Sequence, residues 1–286
     1  MNKNEEGPVG LSSLLYKGAE MDLTLKGKNA LVTGGNRGIG AQVVRQLAAA
    51  GASVGLHCRT PHENAEQMAE ELSREYGVTV REIVGDFSDP NSITDVFKQF
   101  DELFPQIDIL VNNAGFENTY ALEELPLEAW QMLMQVNLTA PFQCAQLAAQ
   151  RMKKTGGGVI INMQSIHDEI TRKGVAHYSV AKAGLKMLTR AAGVEWGEYG
   201  IRVVGISPGA IETDINRDDI EKMGRDKYNR WIPAGHVGET PDIADAVVFL
   251  SSNHARYINA TTIYIDGGYM HNVIRYDERK DHDIDG

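Results

Sequence analysis

Short apolar runs alternate with longer stretches of helical period along most of the chain. Residues 29–33 and 53–57 are short and apolar and read as buried strands. Residues 78–84, 107–111, 159–163, 201–206 and 261–265 read the same way. Between them the pattern predicts helices over 41–50, 62–76, about 88–104, about 127–154, a stretch through Tyr178 to about Tyr199, and 241–251. Gly51 and Gly77 follow the first two as C-terminal caps would. Residues 214–235 are polar with scattered apolar positions and read as short helices in a loop.

Strands alternating with helices imply parallel βαβ units in an open sheet covered on both faces. Ligands of such sheets bind outside the C-terminal ends of the strands. The chain places its unusual residues there. Gly34, Asn36, Arg37, Gly38, Ile39 and Gly40 follow the first strand; Asp86 and Phe87 follow the third; Asn113, Ala114 and Gly115 follow the fourth. Ser165 follows the fifth, and Pro208 and Gly209 follow the sixth. No internal repeat or domain linker is evident. Residues 1–26 read as an extension, mobile or laid on a neighbouring subunit, 27–270 as the domain, and 271–286 as a charged tail.

Composition narrows the classes. The 286 residues are 42% hydrophobic and 23% charged, ordinary for a soluble globular enzyme. The net charge of −11 argues against nucleic acid and against an anionic membrane surface as partners. Two cysteines, Cys58 and Cys144, point to reduced buried thiols and a cytoplasmic protein. No apolar run reaches the length of a membrane span, no secretory segment opens the chain, and the histidines lack metal-ligand spacing.

Two motifs carry chemistry. Gly34, Gly38 and Gly40 suit a tight turn whose backbone approaches a pyrophosphate, with a helix N-terminus offering N–H groups to it. In Tyr178-Ser-Val-Ala-Lys182 the phenol and the ammonium stand four residues apart, on one helix face. Bringing a tyrosine from about 10 to about 7 takes roughly 4 kcal/mol. One cation about 4 Å away supplies roughly that at an effective dielectric near 20. The spacing therefore fits a tyrosine that exchanges a proton with an alcohol or ketone.

The glycine loop, Asn112-Asn-Ala-Gly115, Ser165, Tyr178 with Lys182, and Pro208-Gly209 together resemble the short-chain dehydrogenase/reductase family over about residues 26–270. The resemblance implies an α/β fold: a single Rossmann-type, doubly wound domain with seven parallel strands and helices on both faces. It implies NAD(P)-dependent hydride transfer in a homotetramer. Tyr178 would be the general acid/base, Lys182 would lower its pKa and hold the nicotinamide ribose, Ser165 would bond the reacting oxygen, and Asn137 would anchor a proton-carrying water. Asp86 would meet the adenine amino group. Phe87, Ile211 and Thr213 join the glycine loop, 113–115, Pro208 and Gly209 as expected cofactor contacts.

An NAD-preferring site places an acid at the end of strand two. Cys58 stands there instead, followed by Arg59 and Thr60, with Arg37 in the glycine loop. No carboxylate at that place and two guanidiniums suited to phosphate predict NADP(H) preference, with NAD(H) use left open. Within the family, Asn113-Ala-Gly-Phe-Glu117-Asn118, Asn162-Met-Gln-Ser165-Ile-His167-Asp168 and His177 are similar in style to bacterial glucose 1-dehydrogenases. Glu117, Gln164, His167 and Asp168 are the expected substrate contacts, and a sugar or polyol the expected small-molecule substrate. The wall from Glu169 to Val175 departs from those relatives. A 3-oxoacyl-thioester reductase is the second enzyme reading, and an NADP(H)-sensing scaffold the reading from another class. Apolar residues on several sides of helices 127–154 and 177–199, among them Met132, Met134, Leu138, Leu147, Met187 and Val194, suggest subunit contacts.

Overall fold

A computed structural model describes residues 22–213 and 217–272. The expectations for residues 1–21 and for the tail beyond 272 lie outside the described residues. Seven parallel strands form one sheet in the order β3-β2-β1-β4-β5-β6-β7. They are β1 (Asn29–Val32), β2 (Ser53–Cys58), β3 (Val80–Val84), β4 (Ile109–Asn112), β5 (Gly158–Met163), β6 (Ile201–Pro208) and β7 (Thr261–Ile265). The central strands are apolar on both faces because both faces are covered.

One core layer lies under α1 (Gly38–Ala49), α2 (Glu63–Tyr76) and α9 (Thr240–Ser251). The opposite layer lies under α3 (Pro90–Leu103), α5 (Ala140–Thr155) and part of α6 (Ala176–Trp196). The strand order reverses direction between β1 and β4, which opens a crevice at their C-terminal ends. The loop after β6 carries α7 (Arg217–Met223) and α8 (Arg225–Trp231), as its scattered apolar pattern predicts. Leu25 is buried and the Leu25 N–H donates to the Ala50 carbonyl, so the packed body begins a little before residue 27.

The predicted helix over 127–154 is three pieces. α4 (Leu127–Met134) and α5 are joined by a π-helical turn, Gln135–Thr139. Pro141 has no N–H to give the carbonyl of Asn137 four residues earlier, and the helix widens there. The widened turn holds Asn137, buried, against the segment after β4.

Candidate active site

The glycine loop is a cradle made by backbone. Gly34 and Gly38 have φ of 63° and 54°, conformations that disfavour other residues. A Cβ on Gly40 would lie 2.1 Å from the Gly34 carbonyl oxygen and 2.5 Å from Asn113 Nδ2. Arg37 begins α1 without capping it by its side chain, whereas His62 and Asp89 cap α2 and α3. The first N–H groups of α1 are thus left for a ligand. Asn113 Nδ2 donates to the carbonyls of Thr33 and Gly34, at 3.0 Å each. Thr33 Oγ1 accepts from the N–H groups of Asn113 (2.9 Å) and Ala114 (3.0 Å). These bonds lock β4 to the loop across the crevice. Thr213 closes over it, 3.5 Å from where a Cβ on Gly38 would stand. Ile211 is buried, and the Gly209 N–H donates to Ile265.

His57 supports the loop from behind. Its Nδ1 accepts from the Gly34 N–H at 3.2 Å, so its Nε2 donates to the Gly85 carbonyl at 2.9 Å. Its ring stacks on Phe87 with centroids 4.2 Å apart. Burial pushes the imidazole down to about 4, against the Gly85 bond and the charge of Asp86. No pattern in the sequence singles His57 out. Asp86 Oδ1 accepts from the Ser88 N–H in a local turn, and Phe87 is buried rather than open to a ligand.

The end of β2 corrects one premise. Cys58 stands there as read, but Glu82 of β3 reaches its Sγ at 2.9 Å. A carboxylate is therefore present beside that position. Arg37, Arg59 and Thr60 are exposed.

On the other side of the crevice, α6 brings Tyr178 and Lys182 to the turn after β5. Ser165 caps that turn, its Oγ accepting from the His167 N–H at 3.2 Å, and it stands near enough to the Tyr178 phenol to draw its pKa down. Lys182 Nζ stands 5.5 Å from the centre of the Tyr178 ring and donates to the Met163 carbonyl at 2.8 Å. Asn137 pairs both ways with the Phe116 backbone, accepting at 3.1 Å and donating at 2.8 Å. The expected lowering of the phenol does not appear in this state. Burial pushes Tyr178 up to about 12, with Ser165 opposing. Burial likewise pushes Lys182 down to about 8, with Asp168 opposing.

The four expected substrate contacts separate. Glu117 is exposed and paired with Arg172. His167 is half-buried, its Nδ1 against the Ile170 carbonyl and its ring edge-on to Tyr178. Gln164 and Asp168 are buried and already partnered. Gln164 donates to Thr189 Oγ1 at 2.8 Å and accepts from Thr262 Oγ1 at 2.9 Å, with Ser207 Oγ 3.3 Å from the same oxygen. Asp168 accepts from Ser207 Oγ at 2.5 Å and the Tyr264 hydroxyl at 2.9 Å, with Lys186 Nζ at 3.7 Å. Both face a polar layer beneath the wall, which corrects the expectation that they line the substrate space. Sequence reasoning missed Arg172, and also Lys186, although its place one helical turn after Lys182 on the same face could have flagged it. His177 forms a 2.6 Å bond to Asn118 that fixes the segment after β4.

The uncapped helix start, the close-packed glycines and the open crevice fit a dinucleotide. A family of proteins described as enoyl-(acyl carrier protein) reductase matches residues 34–270. An uncharacterized oxidoreductase of Thermotoga maritima is 37% identical over 262 residues, covering 89% of this chain and 100% of its own. A 3-oxoacyl-acyl-carrier-protein reductase of Aquifex aeolicus is 35% identical, covering 87% of this chain and 99% of its own. The structure of a gluconate 5-dehydrogenase from Burkholderia cenocepacia, in complex with NADP and tartrate, superposes with a TM-score of 0.81 at 34% identity, covering 87% of this chain and 98% of that one. Among the described residues no helix is long and apolar enough to cross a membrane. The chain belongs to the short-chain dehydrogenase/reductase family and is an NAD(P)-dependent oxidoreductase acting on CH–OH groups.

Proposed function

We propose that the chain interconverts a polar alcohol and its carbonyl, of the sugar or polyol class, with Tyr178 as the acid/base. The observation that carries this reading is the meeting of Ser165, Tyr178 and Lys182 across the crevice from the glycine loop. A phenol pushed up to about 12 keeps its proton at neutral pH and is set to give it to a carbonyl oxygen. Ser165 steadies that oxygen, and Lys182 holds charge beneath the phenol. Asn137 fixes the Phe116 backbone at the entrance to this space. A nicotinamide bound there would accept or supply the hydride and, when oxidised, would add a positive charge. The backbone of 34–40, Asn113, Thr213 and the residues after β6 would hold its dinucleotide.

Arg37 and Arg59 favour a 2′-phosphate and hence NADP(H), with NAD(H) also used. His167 and the Glu117–Arg172 pair offer hydrogen bonds to a polyhydroxy substrate, and the gluconate dehydrogenase likeness agrees with that class. The Aquifex likeness favours a second reading, reduction of a 3-oxoacyl thioester. Exposed Met132, Phe142, Val180, Met187 and Val194 support assembly as a homotetramer, and the free buried Cys58 and Cys144 suit the cytoplasm.

Purified protein is assayed with NADP+ and NAD+ against sugars and polyols, and with the reduced cofactors against 3-oxoacyl thioesters. Light scattering on the same preparation gives the mass of a tetramer. Sugar or polyol turnover is expected, and Tyr178→Phe lowers kcat by at least about a hundredfold while cofactor affinity holds. Turnover of thioesters alone selects the second reading. Tight cofactor binding without any turnover makes the chain a sensor.

A further inference from the structure

The place where a strand-two acid would bind the ribose is filled by two residues from two strands. β2 and β3 pair so that Leu56 stands opposite Glu82 and Cys58 opposite Val84. Side chains alternate across a strand, so Glu82 shares its sheet face with Val80 and Val84, which pack with Cys58 on the α1/α2 side. Glu82 then leans toward the strand end, where its Oε1 accepts from Cys58 Sγ at 2.9 Å and from the His62 N–H at 3.0 Å. The His62 N–H belongs to the residue that opens α2. The carboxylate is thus pinned between the end of β2 and the start of α2.

The thiol is the donor in this pair. Burial pushes Cys58 well above the usual thiol range, and the Glu82 bond adds to it, so the sulfur keeps its hydrogen. Two donors occupy one oxygen of Glu82, and no described residue donates to the other. Arg37 and Arg59, both exposed, form no ion pair with Glu82 or with any other described carboxylate. The edge of the adenosine site therefore combines one anchored acid with two free guanidiniums.

We propose that Glu82 is a specificity-determining residue that takes over the work of the absent strand-two acid. Its second oxygen accepts a hydrogen bond from a free ribose 2′-hydroxyl, and its charge limits the advantage that Arg37 and Arg59 give to a 2′-phosphate. Cys58 holds it in place. The chain would then use both dinucleotides, and the sequence at the end of β2 alone overstates its preference for the phosphorylated one. This rests on the reading of the glycine loop as a nicotinamide dinucleotide site.

The test is calorimetric binding of ADP-ribose and of 2′-phospho-ADP-ribose, which carry the discriminating group without the reacting ring. Wild type is expected to bind both. In Glu82→Gln, ADP-ribose weakens and 2′-phospho-ADP-ribose tightens, moving the ratio of the two affinities by about tenfold toward the phosphate. Glu82→Ala, which removes the acceptor altogether, moves it the same way. The ratio of kcat/KM for NAD+ and NADP+ follows. If both ligands bind wild type and the ratio stays within twofold in both variants, the role of Glu82 is overturned and the cofactor reading stands. If neither ligand binds wild type, the cofactor reading falls and the inference with it.

Discussion

The two sides of the crevice are built by different means. The cofactor side is mostly backbone: glycines that allow close approach, an uncapped helix start, and Asn113 and Thr33 tying β4 to the loop. The wall side rests on buried side chains. A ladder of polar groups runs from Asn112 to Asn162, Thr189 and Gln164, and on through Ser207 and Thr262 to Asp168, Tyr264 and Lys186. The first design leaves donors free for a ligand. The second uses its donors and acceptors on itself and offers the substrate only what stands above it. A binding surface that must take one phosphate backbone can be made of main chain. A wall that carries Ser165 at a fixed distance from a tyrosine on another element needs side chains to brace it.

Lys186→Met tests the difference most severely. Burial works against the charge of Lys186, yet its hydrogen bonds to Glu169 and Tyr264 and the charge of Asp168 carry it above its ordinary value. Methionine leaves Asp168, whose side chain is fully buried, without its cation. Breaking a buried pair from one side costs about 3–5 kcal/mol. The lower end applies because Glu169 is half-exposed and Tyr264 and Ser207 still donate to Asp168. Urea unfolding is expected to show a loss of about 3 kcal/mol, and Asp168→Asn added to Lys186→Met costs less than the two singles summed. Affinity for ADP-ribose stays at the wild-type value. A parallel fall in that affinity would show that the two sides are one mechanical unit.

His57 is the cofactor side's own weak point, and pH reaches it. Its folded pKa of about 4 lies below the ordinary 6.5 of the exposed ring. The unfolded chain therefore takes up the proton first, and the stability that neutral His57 contributes is complete above about pH 6.5 and lost as pH falls toward 4. The expected loss between pH 7 and pH 5 is about 2 kcal/mol from this group. A proton on Nδ1 would also face the Gly34 N–H that now donates to it, so ADP-ribose affinity falls too, but only as pH approaches the folded value of about 4. In His57→Asn the part of the pH dependence due to this group disappears from both measurements. An unchanged slope in the variant would move the acid sensitivity elsewhere.

The contrast also explains what could be read from the chain. Gly34, Gly38 and Gly40 are visible because the first two take a φ that disfavours other residues and the third has no room for a Cβ, and the strand alternation places them at a sheet edge whatever the rest of the chain does. Tyr178 and Lys182 are visible because a helix fixes their spacing. The π-turn at Asn137 was not foreseen, because the helical period runs straight through Pro141 from 127 to 154. Gln164 and Asp168 sit beside Ser165 in sequence and look like substrate contacts. Their direction is set by Ser207, Thr262 and Tyr264, 39 to 98 residues away. Glu82 escaped for the same reason: its partner is on the neighbouring strand, and only the register reveals it.

Thr262→Val gives the smallest effect and the finest discrimination. Thr262 Oγ1 donates to Gln164 Oε1 at 2.9 Å, whereas Ser207 Oγ, 3.3 Å from the same oxygen, gives its single hydrogen to Asp168 at 2.5 Å. Valine keeps the shape on β7 and removes one donor. A net hydrogen bond of this kind is worth about 1 kcal/mol, and Ser207 can turn its hydrogen to Gln164 Oε1 only by giving up Asp168, so a stability loss of at least about 1 kcal/mol is expected. If Gln164 faced the substrate, freeing its oxygen would change KM for a polyol while leaving the protein as stable as before. If it braces the wall, stability falls and KM holds, because Gln164 stays buried and its amide still donates to Thr189 at 2.8 Å. The second outcome is expected. The two measurements move in opposite ways under the two readings, so this single methyl-for-hydroxyl exchange decides whether the wall side contributes contacts or only rigidity at Gln164.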